Sequence, residues 1–581
     1  MLYIPYKLRS VFDNSCQYKN TFMKNLQPKE KKLKQDKDKI FTNYLDNDKL
    51  IYLLLGISLL IVLITRLHLL SFPFERDEGE YAYMGKLILD GHPPYTLAYN
   101  MKFPGTYYMY AIIMGIFGKS IVGVHLGLTC ITQASMLLVF SISKNFVSKI
   151  GAVIATFTFG ILGASWTLLG QSAHATHFVI FFALIGIYVL LQSYKSDKNK
   201  LFKYFIAGLF FSLAFICKQS GVFFVLFGAT IIIAKEFRTI PLSKLIKNIL
   251  LYSFGFTVPI FIMLLYFYLF GNFDNFWFWT VKYLSKYGTQ VTIAQAPAMF
   301  TSSVNLITSN YTLVGYTALW IISVIGIPFI FIKKNTIQNK IILFVFLLTS
   351  VLTILPGFYF REHYYITLLP VTGLMIAVFF DYFNDFFIHK LKKPYLGFIP
   401  LLTFIIIAGT GVYANKDYLF KLDPEISCKQ IYGSNPFVES LEIAKFIKQN
   451  TTKNDKIAVL GSEPQICFYA DRYSATGYIY TYNLVELHSY ALPMQKQMIK
   501  EIESSKPKFL VFVNIGVSWL NKANSESLIF DWAEEYIKNN YRLVGLMEVY
   551  ANQIPSLITG EQLNNYQPQT KELIYVYEKN N

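Results

Sequence analysis

Pro104-Gly105-Thr106-Tyr107-Tyr108-Met109-Tyr110-Ala111-Ile112-Ile113-Met114-Gly115-Ile116-Phe117-Gly118 is the stretch on which the fold turns. It is apolar but only about fifteen residues long, and a helix needs about 20 to span hydrocarbon. Eleven other apolar runs reach spanning length: 51–70, 120–142, 150–169, 174–194, 202–217, 219–234, 247–270, 310–332, 340–356, 364–380 and 396–413. Charge decides whether the short stretch makes a twelfth. If it does not cross, the loops at 144–149, 195–203, 235–247, 333–340 and 389–393 share one side and hold nearly all the interhelical Lys and Arg. If it does cross, every later loop inverts, against the positive-inside rule. The non-crossing reading stands.

It predicts a polytopic α-helical membrane protein with about 11 transmembrane helices and a cytoplasmic N-terminus. Segments 71–119, 170–174, 271–305 and 357–363 then face the outside of the cell membrane, of bacterial inner-membrane type. Residues 1–49 are polar and Lys-rich and read as a disordered basic cytoplasmic tail with no cleavable signal. After about Tyr413 the composition turns soluble, and an odd helix count places 414–581 outside. There 436–449, 492–504 and 525–539 look helical and 457–460 and 509–513 strand-like, which suits an extracytoplasmic α/β domain.

The bulk numbers agree. The chain of 581 residues is 54% hydrophobic and 15% charged, with 52 Phe and 42 Tyr. Soluble domains carry about 25% charged residues. The formal charge of +17 is spread among loops, with no basic stripe or zinc spacing, so nucleic acid is excluded as a partner. The five cysteines form no CxxC; Cys428 and Cys467 alone share the outer domain and are the pair a disulfide would join.

Directly after the first apolar run comes Phe74-Glu75-Arg76-Asp77-Glu78-Gly79-Glu80-Tyr81-Ala82-Tyr83. Carboxylates are costly at a membrane face unless they sit in water or serve a site. On a helix over 77–90, Asp77, Glu80, Tyr81 and Met84 share a face, Glu78 points about 100° away, and Arg76 can reach Glu80. The bland alternative is an interfacial helix with solvated acids.

Four more polar groups fall on the same side. Lys102 precedes the Pro104-Gly105 helix start and suits a phosphate, or else snorkels. His174 and His177 top two spans, a pair too small to define a metal site and better read as cavity lining. Lys218, an unexpected outward lysine, is a phosphate-ligand candidate. Arg361 offers a fork matched to phosphate, and His363 beside it could position a headgroup or relay a proton.

These residues resemble a known family. The run 76–83, the Lys102/Pro104-Gly105/Tyr107-Tyr108 segment, 171–178, Lys218-Gln219, His363-Tyr364-Tyr365 with Leu369-Pro370, and Gly461-Ser462-Glu463-Pro464 are similar to GT-C glycosyltransferases of the protein-mannosyltransferase and aminoarabinose-transferase type. The resemblance implies a GT-C-like transmembrane domain over 50–413, a polyprenyl-phosphate sugar as donor, and a catalytic acid at Asp77 with Glu78 as its neighbour. Two positions depart. Where members often carry a carboxylate before the Lys-Pro element, in some a metal ligand, this chain has Asn100 and Met101. His174-Ala175-Thr176 replaces an Asn-x-acid element. A site without cofactor or divalent metal is therefore expected.

The expected reaction moves a sugar from a lipid phosphate to a polysaccharide, lipid or protein acceptor, inverting the anomeric centre. Asp77 would be the base, with Glu78 or Glu80 in support. Lys102, Lys218 and Arg361 would stabilise the leaving phosphate, while Arg76, Glu80, Tyr81, His174 and His363 complete the substrate site. A transporter or flippase using the acidic knot is the alternative; transporters place such groups near the midplane of repeated helices, and no repeat is visible. A non-enzymatic envelope protein is a third reading.

Overall fold

The computed structural model describes residues 47–308, 315–333 and 335–580. The tail reading for 1–49 falls almost wholly outside them. Among the described residues, eight helices are long and apolar enough to cross a membrane. The site is built by four of these, α1 (Asp48–His68), α4 (Ile121–Ser143), α6 (Ala175–Lys195) and α7 (Lys200–Cys217), and by three shorter helices, α2 (Arg76–Leu89), α3 (Gly105–Phe117) and α5 (Lys149–Leu162).

Three of the eleven predicted spans are shorter than expected: Lys149–Leu162, Tyr316–Gly326 and Ile337–Leu352. The run at 150–169 stops at Leu162 because the chain turns there. The buried Arg66 guanidinium at the end of α1 donates to the Gly170 and Gly163 carbonyls at 2.5 and 2.7 Å. Those carbonyls would otherwise lack partners in an apolar setting.

α3 is the short stretch of the topology argument, and it lies packed among its neighbours. Thr106 donates to the Cys217 carbonyl at 2.8 Å, and the Tyr110 hydroxyl donates to the Ala173 carbonyl at 2.9 Å. A Cβ at Gly105 would sit 2.5 Å from the Ile216 oxygen, so only glycine lets the start of α3 meet the end of α7 this closely. At the far end of the bundle, Asp381 accepts from the Ser148 amide at 2.6 Å and pairs with Lys333 at 2.6 Å. Asp381 therefore joins Ser148 and Lys333, each at the border of a basic loop.

The C-terminal region forms a six-stranded sheet of order β2-β1-β3-β6-β4-β5. The strands are β1 (Lys456–Leu460), β2 (Tyr473–Ser474), β3 (Phe509–Asn514), β4 (Tyr541–Glu548), β5 (Ile558–Thr559) and β6 (Leu573–Lys579). β2, β1 and β3 run parallel, while β6 pairs antiparallel with both β3 and β4. The expected α/β domain is present, with helices at Glu439–Gln449, Ala491–Ser505 and Leu528–Asn540. The sequence reading missed β4 and β6. Cys428 and Cys467 are buried and free, so the disulfide considered above does not form.

The two regions meet on α2. Its N-cap is Glu75, whose carboxylate accepts from the Glu78 amide at 2.9 Å, and its first-turn acids complement the helix dipole. Arg76 does not reach back to Glu80. It donates to the Ser462 carbonyl at 2.7 Å, to Asn435 at 3.2 Å and to Glu463 at 2.9 Å. A Cβ at Gly79 would stand 2.8 Å from the Gln465 backbone nitrogen, so α2 lies directly on the Pro464–Ala470 helix. Phe74 and Ser474 amides donate to Tyr469 and Tyr83 hydroxyls at 2.8 and 2.7 Å, closing the seam at both ends.

The side chain of Glu463 is fully buried. Removing one partner of such a pair costs about 3–5 kcal/mol. Arg76→Met should lower the unfolding midpoint in thermal denaturation and expose β1 and the Pro464–Ala470 helix to hydrogen exchange. Adding Glu463→Gln should recover part of the loss; no recovery would mean that Arg76 acts through packing alone.

Candidate active site

The seam between the regions encloses a cavity of about 560 Å³, lined by Asp77, Tyr81, Lys102, His174, Lys218, Arg361 and His363 among others. Residues separated by up to 286 positions along the chain (77 to 363) thus converge on one space. α2 brings Asp77 and Tyr81, one turn apart. The segment before α3 brings Lys102, the turns before α6 and after α7 bring His174 and Lys218, and the irregular stretch Glu362–Leu368 brings His363.

Asp77 is the centre. Lys102 Nζ lies 3.1 Å from Asp77 Oδ1, and the Tyr81 hydroxyl donates to Asp77 Oδ2 at 3.4 Å. Burial alone would raise the Asp77 carboxyl, but the ammonium of Lys102, with that of Lys218 behind it, holds it below the usual aspartate range. Lys102 also pairs with Glu80 at 3.3 Å and stands 4.5 Å over the Tyr81 ring. Glu80 is fully buried behind it, accepting from the Tyr107 hydroxyl at 2.8 Å, and burial raises its carboxyl to about 7. Glu80 therefore positions Lys102 and does not face the cavity.

Glu78 requires a correction as catalytic understudy. Its carboxylate points into the protein, accepting from the Ala173 amide at 2.6 Å and lying 3.1 Å from His125 Nε2, and it does not line the cavity. The 100° offset from Asp77 is the physical reason: it faces the transmembrane helices. Arg76 reaches the cavity wall, but its guanidinium is committed to the seam. His177 is buried and does not line the cavity.

Lys218 and Arg361 differ from these. Neither has a carboxylate within ion-pairing distance among the described residues. Lys218 Nζ sits 3.5 Å over the Tyr364 ring, and burial beside Lys102 lowers its ammonium to about 7. Arg361 lies 5.8 Å from the Tyr359 ring. Two basic groups without acidic partners in one cavity form a site for an anion, whose charge favours the protonated form of Lys218.

His174 and His363 stack with ring centroids 4.1 Å apart. Neither ring nitrogen of His174 has a hydrogen-bond partner among the described residues, and burial lowers that imidazole to about 4, so it stays neutral. Asp77, His174 and His363 offer ligand atoms all within 4.8 Å of one another. Two neutral imidazoles and a carboxylate suit zinc or another first-row divalent ion. The missing carboxylate at 100–101 had argued against a metal, but this trio is assembled from other segments.

Sequence reasoning also missed Glu75, whose carboxyl burial pushes well above the usual range, and an aromatic lining that includes Trp279, Tyr287, Tyr480 and Tyr482. The Tyr-dense run 478–482 was the available signal for the last two.

The fold is shared with solved membrane transferases. The apo structure of ArnT from Cupriavidus metallidurans superposes with a TM-score of 0.55 at 10% identity, covering 91% of this chain and 98% of that one. ArnT bound to undecaprenyl phosphate gives 0.55 at 9% identity, with the same coverage. The apo oligosaccharyltransferase of Archaeoglobus fulgidus gives 0.52 at 13% identity, covering 88% and 76%. This chain has a GT-C fold. Residues 94–272 match the family described as dolichyl-phosphate-mannose-protein mannosyltransferase. No curated protein matches the sequence.

If the trio is a ligand set, the purified protein equilibrated with Zn²⁺ should bind one ion by calorimetry, and His174→Ala should abolish that step. Unchanged stoichiometry in His174→Ala would remove the trio as the site.

Proposed function

We propose that this protein is a membrane glycosyltransferase that moves a sugar from a polyprenyl phosphate to an acceptor hydroxyl. The observation that carries the reading is an ionised Asp77 sharing a cavity with the unpaired cations Lys218 and Arg361. The fold it shares with ArnT, whose solved complex holds undecaprenyl phosphate, supports a lipid-phosphate donor.

The donor phosphate enters with Lys218 and Arg361 as counterions and draws Lys102 toward itself. That shift removes the charge that depresses Asp77 and makes it a stronger base when substrate is bound. Asp77 then accepts the acceptor's hydroxyl proton as the oxygen attacks the anomeric carbon. The carbon–oxygen bond to phosphate breaks, its electron pair leaves with polyprenyl phosphate, and the cations stabilise the departing charge. Displacement by one base inverts the anomeric centre. A divalent ion, were one held by Asp77, His174 and His363, would supply positive charge to the cavity and would lower the basicity of Asp77 in doing so. The Lys- and Arg-rich loops support a reading with eleven crossings, in which the reaction takes place at the outer face of a cell membrane and the sheet domain lies outside.

Asp77→Asn should cut the release of free polyprenyl phosphate from lipid-linked sugar by about 10²–10⁴-fold. Undiminished release would sink the assignment. Cysteines introduced at exposed Lys198 and Lys506 test the sidedness in intact cells. An impermeant maleimide should label position 506 and not 198; the reverse pattern would invert the topology.

A further inference from the structure

The cavity is larger than the charged cluster, and much of its remaining wall comes from two segments: the stretch after Leu269 and the C-terminal domain. Together they contribute Trp279, Tyr283, Tyr287, Tyr480, Tyr482, Asn483 and Glu486 among others, and no lysine or arginine. The two segments are joined across the chamber. Tyr283 donates to Glu486 at 2.8 Å and Gln290 to the Leu487 carbonyl at 3.4 Å, while Tyr287 stacks on Tyr359 of a third stretch with centroids 4.9 Å apart. Tyr480 and Tyr482 stand edge to face at 4.9 Å and 90°. Asn483 is 6% exposed, and its side-chain oxygen has no hydrogen-bond partner among the described residues.

We propose that the acceptor is an uncharged saccharide, seated on this aromatic wall with Asn483 and Glu486 holding its hydroxyls. The inference rests on the transferase reading above. A pyranose has an apolar C–H face and a rim of hydroxyls. It is matched by aromatic rings carrying their own hydroxyls, together with an amide and a carboxylate. A peptide acceptor would be met by backbone pairing along a sheet edge. The edge strands here, β2 and β5, do not line the cavity. A phosphorylated lipid acceptor would need cations beyond those the donor takes. Arg76 is spent on Glu463, and Lys102 is divided between Glu80 and the donor phosphate.

The test uses the full chain in lipid nanodiscs, free of glycoside detergent, against an array of neutral mono- to tetrasaccharides. Ser/Thr peptides and a glucosamine bisphosphate are run beside it. Saturable binding of a neutral saccharide is expected. Tyr480→Ala and Glu486→Gln should each weaken it about tenfold or more, while Tyr480→Phe, which keeps the ring, should retain most of it. That conservative variant separates site loss from misfolding. Binding of the peptide or bisphosphate in place of every neutral saccharide would overturn the inference, as would saccharide binding indifferent to Tyr480→Ala. Polyprenyl phosphate release, measured on the same samples, keeps the two readings apart. Release stimulated by peptide alone overturns the saccharide and spares the transferase. The same neutral saccharide stimulating release supports both.

Discussion

A buried guanidinium–carboxylate pair, Arg76 with Glu463, is the interaction on which the rest of the structure depends. It fastens the first residue of α2 to the turn between β1 and the Pro464–Ala470 helix. Neither charge could be left alone in that seam, because a buried ion without a partner costs several kcal/mol. The pair is further satisfied by Ser462, Asn435 and the rings of Phe437 and Tyr482. Since α2 also carries Asp77, the clamp that unites the two regions sets the position of the central carboxylate.

Charge is divided economically around that carboxylate. Lys102 is shared between Asp77 and the buried Glu80, while Lys218 and Arg361 rest on tyrosine rings. Aromatic faces hold a cation in place without neutralising it. In the proposed reaction the resting site would keep two basic groups available for phosphate and one engaged with the base. That arrangement links donor binding to the basicity of Asp77 through electrostatics alone.

Three carboxylates in one helical turn illustrate how little residue type says about role. Asp77 faces the cavity, Glu78 faces the membrane helices and binds the Ala173 amide, and Glu80 lies beneath Lys102. Helical periodicity separated Asp77 from Glu78. It also put Glu80 on the Asp77 side, which holds only in that both touch the same lysine.

Several features were determined by the sequence alone. Hydropathy picked out the apolar spans of a multi-pass membrane protein, because lipid and water sort such residues without reference to neighbours. The strands at 457–460 and 509–513 were legible because they are continuous apolar runs. β4 and β6 were not, since their mixed polar and aromatic residues become strands only by pairing with each other and with β3. The same limit applies to the site. Asp77, Lys102, Lys218 and Arg361 stood out singly as charges at a membrane face. That His174 stacks on His363, that Arg76 belongs to Glu463, and that tyrosines from the C-terminal domain wall the cavity were decided only by the tertiary structure. Contacts between residues hundreds of positions apart depend on how helices and sheet pack, and no local pattern encodes them.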